Sequence, residues 1–276
     1  MKIPPLRSGL IGLFSQNLIL MGVFFVIPLY LQLVLGLDAL DTGIKMLPVS
    51  IAMFLASAAG SRLSSRFPVR SIVRAGLTTT AVAAFALLAT VQPDLAETGF
   101  AVSMALLGIG MGLIASQLGN VVQSSVDASG RGEAGGLQYT GQQLGSSLGV
   151  ALIGAIVLAG LTAGFVTKVE DDPRISDEVA SQVSVAAGTG IDFVAADQID
   201  AAAKQAGLDD ASSQAVVDDY EEAQLMALKV GLLAAALLAL LSLAFTRELP
   251  HGAPSADGGT PGDGAGEATA ADAVAT

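Results

Sequence analysis

Leu10-Ile-Gly-Leu-Phe-Ser-Gln-Asn-Leu-Ile-Leu-Met-Gly-Val-Phe-Phe-Val-Ile-Pro-Leu-Tyr-Leu-Gln-Leu-Val-Leu35 holds no charged residue. The hydrocarbon core of a bilayer is about 30 Å thick and is crossed by roughly 20 apolar residues of helix. This run therefore predicts a transmembrane helix with length to spare. Pro28 lies inside it and predicts a kink near its far end. Lys2 and Arg7 give it a basic lead-in. The run is too long for the apolar region of a secretory signal, so it is expected to stay as the first span and to act as its own insertion signal.

The rest of the chain repeats that pattern. Uncharged or nearly uncharged runs predict further spans at about 43–62, 71–91, 98–122, 137–165 and 223–246, leaving 1–9 as an N-terminal segment. Only 14% of the 276 residues are charged, 52% are hydrophobic, and the mean hydropathy is +0.65. A soluble domain carries about 25% charged residues. The expected fold class is thus all-α, a polytopic membrane protein of six transmembrane helices with one large extracytoplasmic loop. The fifth apolar stretch is long, with no charge between Glu133 and Lys168. As one helix it would reach ~50 Å, so its polar start, Gly135 to Gly145, is expected to project into the cytoplasm or to line a wet cavity. Residues 166–222 form the loop, where Ala195–Ala206 and Ala211–Tyr220 read as short amphipathic helices. From 247 to 276 Gly, Ala, Asp, Pro and Thr dominate, which predicts a disordered tail.

Basic residues set the orientation. Lys2 and Arg7 precede the first span, Arg62, Arg66, Arg70 and Arg74 lie between the second and third, Arg131 between the fourth and fifth, and Arg247 after the sixth. Both termini are expected in the cytoplasm and the acidic loop outside, in a multi-pass protein of the cell membrane. With no tryptophan, the interfacial aromatic belt falls to Phe14, Phe24, Phe25, Tyr30 and Phe100.

Several chemistries find no footing. There is no cysteine and one histidine, His251, in the tail. No zinc motif, phosphate-binding glycine loop or nucleophile elbow occurs, and Asp171-Asp172 and Asp209-Asp210 lack the spacing of a calcium loop. No enzymatic activity, cofactor, metal or nucleic-acid partner is expected. The span centres hold essentially no ionisable group, only neutral polar residues. Among these Asn17, Gln117, Asn120 and Gln142 are the candidate lining of a substrate cavity, the alternative being hydrogen bonding between helices. The acidic loop either attracts cations or is a solvated surface.

Two stretches carry more specific information. Ser61-Arg-Leu-Ser-Ser-Arg-Phe-Pro-Val-Arg70 joins the second and third spans. Gly135-Gly-Leu-Gln-Tyr-Thr-Gly-Gln-Gln-Leu-Gly-Ser-Ser-Leu-Gly-Val-Ala-Leu-Ile-Gly154 opens the fifth, with Gly141, Gly145 and Gly149 at four-residue spacing. Small residues so spaced let helix backbones approach closely, and Gly154 follows them. The first stretch resembles a degenerate copy of the loop motif of the major facilitator superfamily. Arg66 and Arg70 match its basic positions; Ser61, Ser65 and Pro68 stand where the family has glycine, acid and glycine. The second resembles the fifth helix in the C-terminal half of fourteen-helix drug:proton antiporters. Tyr30-Leu-Gln-Leu-Val-Leu-Gly36 with Gly43 and Leu47-Pro48 resembles the start of that half, and Leu107-Gly-Ile-Gly-Met-Gly112 its fourth helix.

The resemblance runs from about Leu10 to Arg247. It implies one six-helix half of a transporter that exports drug-like or cationic small molecules by alternating access, coupled to protons. It gives Arg62, Arg66 and Arg70 a gating role, although plain topology also accounts for them. The implied partners are the lipid bilayer, a small-molecule substrate, protons, and either a separate N-terminal half or a second copy of the chain. The other expectation is a non-transporting membrane protein, either an accessory subunit or an inactive remnant.

Overall fold

A computed structural model describes residues 3–188 and 190–246. The tail expected to be disordered lies outside them. The described residues form eight α-helices and no strand: α1 (Pro4–Leu29), α2 (Ala39–Leu63), α3 (Val69–Thr90), α4 (Glu97–Ser124), α5 (Arg131–Asp171), α6 (Asp177–Ala187), α7 (Ala196–Gln205) and α8 (Asp210–Phe245). Six of them, all but α6 and α7, are long and apolar enough to cross a membrane.

Local chemistry sets the helix ends. Pro4 and Pro5 occupy the first turn of α1, where a missing N–H costs nothing. Asp38 caps α2 by accepting from Asp41 N–H at 2.8 Å. Pro28 does not end α1; the chain instead widens into a π-helical turn, Tyr30–Val34, just beyond it. Such a turn is a recognised cause of helix bending. Tyr30 there is fully buried, and its hydroxyl donates to the Gln92 carbonyl at 2.7 Å. Tyr30 and Phe100 are both core residues, at 0% and 1% exposure, and not part of an interfacial belt.

The contacts arrange the helices in two layers. In front, α2 packs on α4, α4 on α1 and α1 on α5; behind, α3 packs on α4 and α8, and α8 on α5 and α1. Glycine makes three of these seams close. A Cβ on Gly145 would stand 2.3 Å from the Phe14 carbonyl oxygen, and one on Gly149 2.2 Å from that of Leu18, so α5 lies against α1 backbone. Gly108 and Gly112 do the same for α4 on α2, at 2.2 Å from Val49 O and 2.4 Å from Met53 O. Gly76 and Gly110 face each other where α3 meets α4. The end helices of the front row are the least enclosed: 17% of the apolar stretch of α2 and 33% of that of α5 is buried, against 44–50% for the other four.

Two helices outgrow the bundle. At 1.5 Å per residue, α5 is ~60 Å long and α8 ~54 Å. The stretch Ala211–Tyr220, expected as a separate short helix, is the first part of α8. Asp209 caps it, and nothing between Tyr220 and Ala223 breaks the helix. The protruding ends of α5 and α8, with α6 packed on α5 and α7 on α8, build a small domain. Between Glu170 and Glu222 stand fourteen carboxylates against Arg174 and Lys204, a balance of −12 that equals the net charge of the whole chain. Because the long helices alternate in direction, the arginines of the α2–α3 turn lie at the opposite end of the bundle from it.

Candidate functional site

The neutral polar side chains of the front row fall into two groups. On α4, Gln117 is 1% exposed; its Nε2 donates to the Gly60 carbonyl on α2 at 2.8 Å and lies 3.0 Å from Ser116 Oγ. It is therefore held inside the α2–α4 seam and does not reach the open side. Asn120, one turn on, is exposed and returns its amide to Ser116 O at 3.4 Å. Ser116 and Asn120 continue a part-exposed strip of α4 that includes Ile109 and Leu113.

The second group lies between α1 and α5. Asn17 is half-buried; its Nδ2 donates to Leu13 O at 2.9 Å, and its Oδ1 accepts from Ser146 Oγ at 3.5 Å. Gln142, also half-buried, stands four residues before Ser146 and so shares its helix face. Asn17 and Gln142 thus belong to one polar strip, joined by a serine that the sequence reading did not select. That reading also passed over Gln16. This residue is 4% exposed, its Nε2 donates to Met111 O on α4 at 3.1 Å, and its Oε1 has no hydrogen-bond partner. A hydrogen bond from a side chain to the backbone of a neighbouring helix leaves no mark in spacing, so Gln16 and Asn17 looked alike.

The four packing glycines are not equivalent. Gly145 and Gly149 sit on α1 backbone, Gly154 has the Phe25 ring 3.4 Å from a would-be Cβ, and Gly141 has only Leu10 O at 3.9 Å. In the α2–α3 turn Arg62 and Arg66 are exposed, and Arg70 is half-buried on the first turn of α3. The turn is closed by serine hydroxyls, Ser64 Oγ to Ser61 O at 2.7 Å and Ser65 Oγ to Arg62 O at 2.8 Å. Lys45 at the start of α2 pairs with Glu97 at the start of α4 at 2.5 Å, a partner across 52 residues of sequence.

At the acidic end an ion network fixes the domain to the long helices. Arg174 holds Asp172 through its Nε at 2.9 Å and its Nη2 at 2.7 Å, and reaches Asp218 on α8 at 2.8 Å. The hydrogen bonds from Arg174 hold the Asp172 carboxyl below its ordinary range. Lys168 on α5 pairs with Glu222 on α8. None of these charges lies in the middle of a long helix, and among the described residues no group of three or more potential metal ligands forms.

Residues 1–150 match the family model described as Major Facilitator Superfamily. Relatives include the multidrug efflux pump LfrA of Mycolicibacterium smegmatis, 29% identical over 71% of this chain and 38% of that protein. The tetracenomycin C resistance and export protein of Streptomyces glaucescens is 27% identical over 67% and 35%. The multidrug transporter protein MdtP of Bacillus subtilis is 26% identical over 63% and 33%. The chain spans little more than a third of the length of these relatives.

Proposed function

The chain belongs to the major facilitator superfamily, and from that premise we propose that it is one half of a drug exporter, the C-terminal half of a fourteen-helix drug:proton antiporter, working by alternating access. The front row α2–α4–α1–α5 carries this reading. Its outer helices keep large apolar side chains uncovered, with Ile51, Phe54 and Leu55 of α2 each more than half exposed. Between them lie the polar strips of Asn17, Ser146 and Gln142 and of Ser116 and Asn120. A second six-helix body laid on this row would close a cavity with polar lining and apolar walls, which suits amphipathic substrates. The relatives named as efflux pumps and resistance proteins support the same substrate class.

In this proposal Gln117 and Gln16 fasten α4 to its neighbours so that it moves as a unit, while Asn17, Asn120 and Gln142 meet the substrate. The arginine-bearing turn faces the cytoplasm, as does the start of α1; the acidic domain lies outside the cell membrane. Arg62, Arg66 and Arg70 would steady the closed cytoplasmic side against the covering half. That half is a separate N-terminal body or a second copy of this chain. A separate N-terminal body would also bring the proton-carrying group, since the long helices here hold no carboxylate or histidine at mid-span; a second copy would not.

The same lack of a proton carrier favours the other reading, an accessory or inactive membrane protein. Dye-efflux and drug-susceptibility assays on cells carrying this chain alone, this chain with a covering half, or neither separate the two. Export that needs both bodies and falls with Asn17→Leu supports the proposal. No export in any combination supports the accessory reading.

A further inference from the structure

The acidic domain does not close over its own apolar side chains but leaves an open hollow among them. Between the end of α5, α6, α7 and α8 lies a cavity of about 430 Å³. Phe165, Val183, Ile199 and Val216 give it apolar walls, one from each helix, and the small side chains of α7 leave it open where larger ones would fill it. Its volume falls in the range of pockets for drug-sized molecules, roughly 300–1,000 Å³.

The cavity is held in shape. The Tyr220 hydroxyl accepts from Val194 N–H at 2.9 Å and donates to Asp192 O at 3.0 Å, with Val194 O as a second acceptor at 3.2 Å. Gln224 Nε2 donates to Val194 O at 2.9 Å. The Tyr220 ring stands edge-on to Phe165, centroids 5.5 Å apart. The segment carrying Asp192 is thus bolted to α8 and does not collapse into the space. Gly190, at φ +104°, makes the turn that brings it there. Gly190, Ile191 and Asp192 also border a second hollow along Leu158–Thr167 of α5.

We propose that this cavity is a binding site for a small organic cation with an apolar body, distinct from the polar strips of the helix bundle. Asp192 is the sole charged residue of the lining; no basic side chain contributes, and the domain around it carries fourteen carboxylates against three cations, Lys168, Arg174 and Lys204. An apolar anion of the same shape meets repulsion, and a neutral one forgoes the attraction. Gln198, at the exposed rim, is the other polar group in reach. The assignment stands on this geometry and not on the transport reading.

The test uses the purified full chain in a non-ionic detergent. Tetraphenylphosphonium and, separately, tetraphenylborate, an anion of nearly the same shape, are titrated by calorimetry. Saturable binding of the phosphonium and no matching binding of the borate is expected. Ala202 lines the cavity yet is exposed, so Ala202→Trp plugs it from outside the core and weakens phosphonium binding at least tenfold. Asp192→Asn, which changes no packing, weakens it about fivefold, the effect of one exposed ion pair. Asp127→Asn, an exposed carboxylate removed from the α4–α5 turn at the other end of the bundle, leaves it unchanged. Equal binding of the borate, wild-type binding by a folded Ala202→Trp, or an equal loss with Asp127→Asn overturns the assignment. If Ala202→Trp melts early, the Asp192→Asn titration decides: unchanged affinity refutes the site.

Discussion

Replacing the glycines of α5 one at a time by alanine gives effects of opposite sign, and the geometry sets the order. A methyl on Gly149 would stand 2.2 Å from Leu18 O and 2.9 Å from Leu18 Cα; one on Gly145 would stand 2.3 Å from Phe14 O. Carbon and carbonyl oxygen meet comfortably at about 3.3 Å, so either methyl must push α1 and α5 apart by about 1 Å. A gap of that size forfeits a quarter to a half of the dispersion attraction of the contacts it opens. Overpacking of this kind costs about 1–3 kcal/mol. At Gly141 the nearest atom is 3.9 Å away, and only the helix-propensity gain remains, up to ~1 kcal/mol. Gly154 falls between, since the Phe25 ring end can yield by a few tenths of an ångström.

The assay is thermal unfolding of the full chain and the four variants in one non-ionic detergent. Circular dichroism at 222 nm is the readout, because the chain has no tryptophan to report by fluorescence. Gly145→Ala and Gly149→Ala should melt below wild type, Gly154→Ala slightly below or level, and Gly141→Ala level or above. If Gly149→Ala melts with or above Gly141→Ala, the seam is not set by backbone contact and the reasoning fails.

Three further outcomes follow from the same geometry. Gln117→Leu removes the amide bond to Gly60 O and should lower stability by about 1 kcal/mol, near the range for polar contacts between membrane helices; Asn120→Leu, whose side chain bonds only its own helix, should leave the melt unchanged. Tyr220→Phe should release the segment at Asp192–Val194, so limited proteolysis should cut there severalfold faster while the bundle stays intact. Asp172, held below its usual value by Arg174, contributes stability that is complete above the unfolded carboxyl value of about 3.9 and lost as pH falls through the lower folded one. The anchoring of the acidic domain, followed by hydrogen exchange at Arg174 Nε–H, should therefore hold from pH 7 to 5 and fail only in stronger acid; failure at pH 5 to 6 would refute it.

The six long helices were legible because each depends on a quantity that accumulates along the chain, the length of an uncharged run. Their seams were legible in part. The four-residue spacing of Gly141, Gly145 and Gly149 marks a face, but spacing cannot say which of its members touches backbone. That depends on where α1 crosses, and α1 crosses at Phe14 and Leu18. The polar residues show the same limit more sharply. Gln117 and Asn120 lie three residues apart on one helix, yet one is enclosed by α2 and the other faces outward, because α4 is gripped nearly all round and a single turn separates seam from open strip. Tyr30 and Phe100 were read as interfacial for a like reason: aromatic residues near the ends of apolar runs suit either the headgroup region or a core, and only the fold of the α3–α4 turn over Tyr30 decides.

The acidic domain was the least legible part because its helices do not stand alone. Ala211–Tyr220 is amphipathic and looks self-contained, but α8 needs no break to pass from domain to membrane. What the sequence presents as a loop between two spans is instead the continuation of both. That continuity matters mechanically. A rigid helix of ~54 Å transmits any tilt of its membrane part to Asp218 and Tyr220, and through them to Arg174 and to the segment that borders the cavity. The ion pair of Lys168 with Glu222 ties the same motion to α5. A domain carried on two separate flexible linkers would be free of the bundle; one carried on two helix ends moves with it. Any tilt of the two long helices is therefore carried to the segment at Asp192, and tetraphenylphosphonium bound there should slow hydrogen exchange along α5 between Leu158 and Thr167, the face that borders the same segment.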